Sequence, residues 1–478
     1  MHSSITIITF AIFLVLFLWI GALAAKVSNQ TETDYLLGNR SFGKFFVGLS
    51  AGATVNSGWI MVGAVGTAYK IGLSALLMVI PLFLGELTFW ILFPDKVNRM
   101  SLEQDSQTVP EFLGATVKTP RGQRAIAMTV GLISVVFIGA LTAAQFSAAA
   151  KTLDIFFGVN SNLGIIIAAG CILSYCVTGG LRASIWTDVV QAFVVMAVCF
   201  GILPAAIIAG GGIPEILSQL KAIDPQLANL TAGFTNLGLL AYGLGWFAFG
   251  FASSLSKPQV LVRLLAGRSP QEAKQAGWVY LAYEYSTWTA MVLFGMVCRA
   301  VIPNLNDPEQ ALPIYAAQNF NPWLVGIILA GVFSAIASTA DSILLVCSSA
   351  LARDISPSFY RKMSRRYGVR YEQAMTLLFG ILAIPATMFI STTVFSLVLF
   401  SGGALGGSLG PAMLIAVLKR RTHSFALNTM MLTGLATTII WRILGYHQIL
   451  NEVFLGFVVA LSVHEILMQT VFRIRLSA

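Results

Sequence analysis

Thirteen apolar runs of about the length that crosses a bilayer constrain this chain more than any other feature of its sequence. They lie at about 5–25, 45–69, 72–94, 125–150, 161–180, 186–210 and 235–256, then at about 276–302, 322–350, 372–392, 393–418, 424–445 and 449–471, with one split placed near Ser391. A helix rises 1.5 Å per residue, so ~20 apolar residues cover a hydrocarbon core ~30 Å thick. In lipid each backbone donor and acceptor must be satisfied internally, and separate apolar runs do this as helices. Only 10% of residues are charged, with 57% hydrophobic, whereas a soluble domain carries about 25% charged residues. The expected fold class is therefore all-α integral membrane, with about 13 transmembrane helices and no soluble domain.

The basic residues orient those helices. Of the 29 Lys and Arg, all but Lys70, Lys151, Lys221, Arg299 and Arg442 fall on one side if the runs alternate from an outside N-terminus. Arg263 counts among the inside residues in that tally. Lys and Arg collect in cytoplasmic loops, so the N-terminus is expected outside and the C-terminus in the cytoplasm. This accounts for the net charge of +9 without a nucleic-acid partner. The first run, Ile5 to Ala25, ends in Ala22-Leu23-Ala24, which resembles a cleavage site. It is too long for a signal-peptide core and no Lys or Arg precedes it, so a retained first helix is expected. The five cysteines lie within apolar runs and read as small buried hydrophobes. Thr108-Val109-Pro110-Glu111 predicts the start of a short interfacial helix. No nucleophile–base or metal-ligand constellation points to an enzyme.

Two runs are interrupted. The second reads LSAGATVNSGW and the seventh YGLGWFAFGFASSLSKP, each with glycines and polar residues where a membrane helix wants neither. Broken helices at corresponding places in two halves point to a transporter built from inverted repeats. The expected organisation is one polytopic domain over 1–478: an extra N-terminal helix and loop (1–44), a first repeat (45–210), a second (235–418) and two C-terminal helices (424–478). The same glycines would also serve close helix packing.

The ninth run, FSAIASTADSILLVCSS (333–349), carries the chemistry. Ala335, Ser338, Thr339 and Ser342 share one helix face by i, i+3, i+4, i+7 spacing, and Asp341 flanks it. An acid at the centre of a membrane helix costs roughly 2.5–3.5 kcal/mol on insertion scales. Hydroxyls, a carboxylate and free carbonyls from a broken helix suit a small hard cation. Alternatively, the hydroxyls bond back to i−4 carbonyls and Asp341 is protonated or paired with a basic residue. Asp188 reads equally as a ligand or as a carboxylate at a helix start. Glu86, Glu284 and Glu465 read as partners of polar neighbours.

At these residues the chain resembles the sodium:solute symporter family, and within it the sodium/proline symporter branch. The likeness is carried by DYLLGNRSFG (34–43), LSAGATVNSGW (49–59), GGLRASIWTDVVQA (179–192), KPQVLVRLLA (257–266), the segment from Phe320 to Ile355, and GPAMLIAVLKRR (410–421). The resemblance implies a five-plus-five inverted-repeat, leucine-transporter-like core with discontinuous helices 2 and 7. It implies sodium-coupled uptake of a small organic solute by alternating access: an amino acid, proline-like, or an organic or sugar acid. It places the main sodium on the carbonyls of Ala53, Asn56 and Ala335 and the hydroxyls of Ser338 and Thr339. A second sodium would use Asp188, Asp341 and Ser342 with Ser338, and the solute would touch Ser57, Gln145, Gly250 and Ser254. Sodium is the coupling ion, no other cofactor is implied, and the location is a plasma (bacterial inner) membrane. Proline-type members carry an aspartate at the position of Val55 and aromatics at those of Leu141, Gly250 and Ser254, so a roomier, more polar pocket is expected. Two other readings remain: a proton-coupled or uncoupled carrier using Glu86 or Glu284, and a transporter-like sensor module, which a chain ending at Ala478 would have to serve through a separate kinase.

Overall fold

A computed structural model describes residues 4–28, 31–231, 233–389 and 393–472. Among the described residues the regular structure is helical, apart from one isolated bridge between Phe42 and Gly267. The helices used below are α1 (Ser4–Val27), α2 (Lys44–Val55), α3 (Val65–Ile71), α4 (Val79–Leu92), α5 (Pro120–Phe157), α6 (Ser161–Ala209), α7 (Asn236–Ser256) and α8 (Pro258–Leu265). They continue with α9 (Pro270–Val301), α10 (Pro322–Ser349), α11 (Pro357–Tyr367), α12 (Val369–Met388), α13 (Val394–Val417), α14 (Ser424–Ile443) and α15 (Glu452–Leu467). Nine helical stretches among the described residues are long and apolar enough to cross a membrane, and Lys44–Val55 and Ser161–Ser174 are shorter apolar ones. The split expected near Ser391 lies outside the described residues.

The centre of the bundle is α10. Each residue from Ile328 to Ser349 is buried, as a helix enclosed on all sides must be. It packs against α1, α2, α5, α6 and α12. Its start is fixed by Asn321, whose Oδ1 accepts from Leu324 N at 3.0 Å, with Pro322 following in the first turn. The interfacial helix expected after Thr108 is present over Val109–Gly114, with Thr108 Oγ1 accepting from Glu111 N at 3.1 Å.

The fifth and sixth expected runs form one helical stretch, α6. Its 49 residues would extend about 73 Å if straight, more than twice a hydrocarbon core. Gly180 resolves this with φ 57° and ψ −151°, a bend that divides the stretch. A Cβ at that position would sit 2.5 Å from the Tyr35 carbonyl oxygen. The bend therefore needs glycine twice, for its left-handed backbone and for the close approach. Gly180→Val should lower the melting midpoint of the purified protein, since such strain costs about 1–3 kcal/mol. An unchanged midpoint in a dye-based thermal scan would contradict this account.

Candidate cation and solute site

The second expected run breaks where its sequence indicates. α2 stops at Val55, Asn56 leaves the helical region (φ −73°, ψ 68°), and helical backbone resumes at Trp59 with a π-turn leading into α3. The seventh breaks later than its glycines suggest. α7 runs unbroken through Gly243, Gly245 and Gly250, and the interruption falls at Lys257 (φ −80°, ψ 96°), before Pro258 opens α8. Proline restricts the residue before it to extended backbone, which ends the helix. The glycines serve packing: a Cβ on Gly250 would lie 2.4 Å from the Leu82 carbonyl oxygen, and one on Gly245 would lie 2.8 Å from Asn451 N.

The break in α2 meets the hydroxyl face of α10. Ser338 Oγ lies 2.9 Å from the Ala53 carbonyl oxygen and 3.2 Å from that of Ala335. Thr339 Oγ1 lies 2.8 Å from the Thr54 carbonyl oxygen and 3.2 Å from that of Ala335. Two hydroxyl protons are thus shared among three carbonyls in a buried setting. Such a cluster has more lone pairs than protons, which is the donor set of a hard-cation site. Ala53, Ala335, Ser338 and Thr339 come together as expected. The Asn56 side chain turns to α9, its Nδ2 donating to Thr287 Oγ1 at 2.5 Å. Thr54, which the sequence reading passed over, supplies the carbonyl that meets Thr339.

One turn further along α10, Ser342 Oγ donates back to the Ser338 carbonyl oxygen at 2.6 Å and lies 2.9 Å from Thr54 Oγ1. Asp341 and Asp188 are both fully buried. Asp341 Oδ1 accepts from Ser184 Oγ at 2.9 Å, and Asp188 Oδ2 accepts from Ser50 Oγ at 2.6 Å. Asp188 is not a helix-start carboxylate, because the helix resumes just after Gly180, well before it. Between the two acids lies Arg263 of α8, a cation that the charge tally put among the cytoplasmic residues and that is fully buried. Its Nη2, with two hydrogens shared among three acceptors, lies 3.1 Å from Asp188 Oδ2 and 2.8 Å from Ser184 Oγ and also meets Ser342 Oγ. Its Nε donates to Ser50 Oγ at 3.1 Å and its Nη1 to the Gln259 carbonyl oxygen at 2.8 Å. The signal for it was an arginine inside the otherwise apolar LVRLLA.

Beside Thr339 a cavity opens between the two breaks. Val55, Ser57 and Trp59 line it from the first break, Leu141 and Gln145 from α5, Phe249, Lys257 and Gln259 from the second, and Val398, Gly402 and Leu405 from α13. Ser57 and Gln145 therefore stand where expected, and Gln145 Oε1 also accepts from Gly58 N at 2.9 Å, bracing the break. Gly250 and Ser254 do not line it. Nor is the cavity free of aromatic walls, since Trp59 and Phe249 supply them. Trp59 is itself stacked on Trp288, with ring centroids 5.4 Å apart. Lys257 pairs with Glu86 at 3.3 Å, and Glu86 also accepts from Tyr280 at 2.9 Å.

Comparisons with known proteins agree with this architecture. The high-affinity proline transporter PutP of Bacillus subtilis (strain 168) is 28% identical over 93% of this chain and 93% of its own length. The sodium/proline symporter of Salmonella typhimurium is 28% identical over 95% of this chain and 91% of its own. A solved Na+-coupled sialic acid symporter, in a substrate-bound outward-open state, superposes with a TM-score of 0.79 at 17% identity, covering 98% of both chains. That likeness shows the fold: a leucine-transporter-like helical core. The sodium:solute symporter family matches residues 35–434, and this multi-pass membrane protein belongs to that family.

Proposed function

We propose that the chain is a sodium-coupled symporter that imports a small organic solute by alternating access. One observation carries this reading: the Ser338 and Thr339 hydroxyls meet the carbonyls freed by the α2 break, directly beside a cavity between two broken helices. An ion there would hold α2 against α10 and close one wall of the solute cavity, so ion and solute stabilise the same arrangement. Two ligands that favour one conformation bind cooperatively. The membrane orientation is N-terminus outside and C-terminus inside, with inverted repeats over 45–210 and 235–418.

A proline-like amino acid is the first solute to try. The relatives named for proline support it, and the rings of Trp59 and Phe249 are among the cavity's lining. The test is uptake of labelled L-proline into proteoliposomes, with an inward sodium gradient and with choline in its place. Uptake unchanged by that replacement would sink the sodium reading and favour a proton-coupled or uncoupled carrier. Loss of proline uptake alone would move the substrate elsewhere. Ser338→Ala and Thr339→Ala should each raise the half-saturating sodium concentration about 10-fold or more, because each removes a hydroxyl from the cluster and leaves buried carbonyls unpaired. Parental sodium dependence in both variants would place the ion elsewhere.

A further inference from the structure

We infer that the Arg263 guanidinium is the resident second cation of this protein, and that the chain binds one sodium rather than two. This rests on the sodium-coupled reading above and goes beyond it in fixing the ion count. The residues expected to hold a second sodium are Asp188, Asp341 and Ser342 with Ser338, and two of these four, Asp188 and Ser342, are already bound by one nitrogen, Arg263 Nη2. The same guanidinium holds Ser184 and Ser50, the other hydroxyls that reach the two carboxylates. A sodium placed among these oxygens would displace the arginine or sit against it. A guanidinium does not lose its proton in proteins, so its positive charge stays, and like charges in contact inside a protein repel strongly. Arg263, Asp188 and Asp341 are all fully buried, so solvent does little to relieve that repulsion.

The charge count fits one ion. With both carboxylates ionised, two negative charges face one guanidinium, which leaves one negative charge in excess. Asp188 meets the guanidinium directly. Asp341 reaches it only through the Ser184 and Ser342 hydroxyls, and its Oδ2 has no hydrogen-bond partner among the described residues. Asp341 stands three residues after Ser338 on α10, a spacing that puts the two side chains on neighbouring positions of the helix surface, so its field reaches the hydroxyl–carbonyl cluster. One sodium at that cluster makes the buried set neutral.

The experiment is equilibrium binding of 22Na+ to the purified full chain, counted per polypeptide. The expected result is one ion with a Hill slope of one. Two ions per chain would overturn the inference while leaving sodium coupling intact. No saturable binding would sink the symport reading itself and this inference with it. Arg263→Gln removes the charge and opens the second position, and should raise the count to two. A folded Arg263→Gln protein that still binds one ion would show that the guanidinium is not what excludes the second. Should that variant fail to fold, the parental count decides.

Discussion

Val398→Trp should abolish solute uptake while leaving sodium binding within about twofold of the parent. Val398 lines the cavity from α13 together with Gly402 and Leu405, and it is only partly buried. A tryptophan adds an indole to the cavity where the solute is proposed to sit, and overlap with the ligand is repulsive rather than merely unfavourable. The sodium cluster belongs to α2 and α10, on which no part of Val398 sits, so 22Na+ binding provides the control that the protein is folded. Thr339 lines the cavity too, which is why a small change in sodium affinity is allowed. Parental uptake by Val398→Trp would place the solute elsewhere. A Gly250→Trp change is a poorer test, because Gly250 faces the backbone of Leu82 and Glu86 and a side chain there disrupts packing of α7 on α4.

The contrast between those two positions shows where the sequence is legible. Apolar runs, proline and threonine caps, and a lone acid in a membrane helix each have a local physical cost, so each leaves a local mark. Asp341 was such a mark, and it lies beside the hydroxyl face as its spacing implies. Breaks are less legible, since glycine both interrupts helices and lets them touch. In the second run Gly58 borders a true break, whereas in the seventh the glycines are contacts and the break is set by Lys257-Pro258. Long-range pairing is least legible. Apolar neighbours in LVRLLA mark Arg263 as unlike a loop arginine, but nothing local points to Asp188, which it joins across 75 positions of sequence. The Thr54 carbonyl was missed for a related reason: each residue offers one, and only the path of the chain after the break decides which turns toward Thr339.

Asp341→Asn should weaken sodium binding 30- to 100-fold. The side chain stays about the same size and keeps one oxygen to accept from Ser184 and Ser342, so the hydrogen bonds at Oδ1 survive. What disappears is the excess negative charge of the buried set. Residues three apart on a helix stand roughly 5–6 Å apart at Cβ, and Ser338 is three residues before Asp341. Two unit charges about 6–7 Å apart interact by about 2–3 kcal/mol at an effective dielectric of 20. At 1.36 kcal/mol per tenfold, that is the stated loss. The loss should appear in the half-saturating sodium concentration, with the number of bound ions still one per chain, because Arg263 and Asp188 are untouched. Asp188→Asn makes the opposite comparison: it removes the carboxylate that meets the guanidinium and leaves Asp341 and Arg263 to neutralise each other through Ser184 and Ser342. Sodium affinity should fall there as well, since the field of Asp341 is then spent on the arginine. Measuring 22Na+ binding in the parent and both variants separates a charge that draws the ion from a hydrogen-bonded acid that only holds helices together. If Asp341→Asn binds sodium as the parent does, Asp341 is the latter.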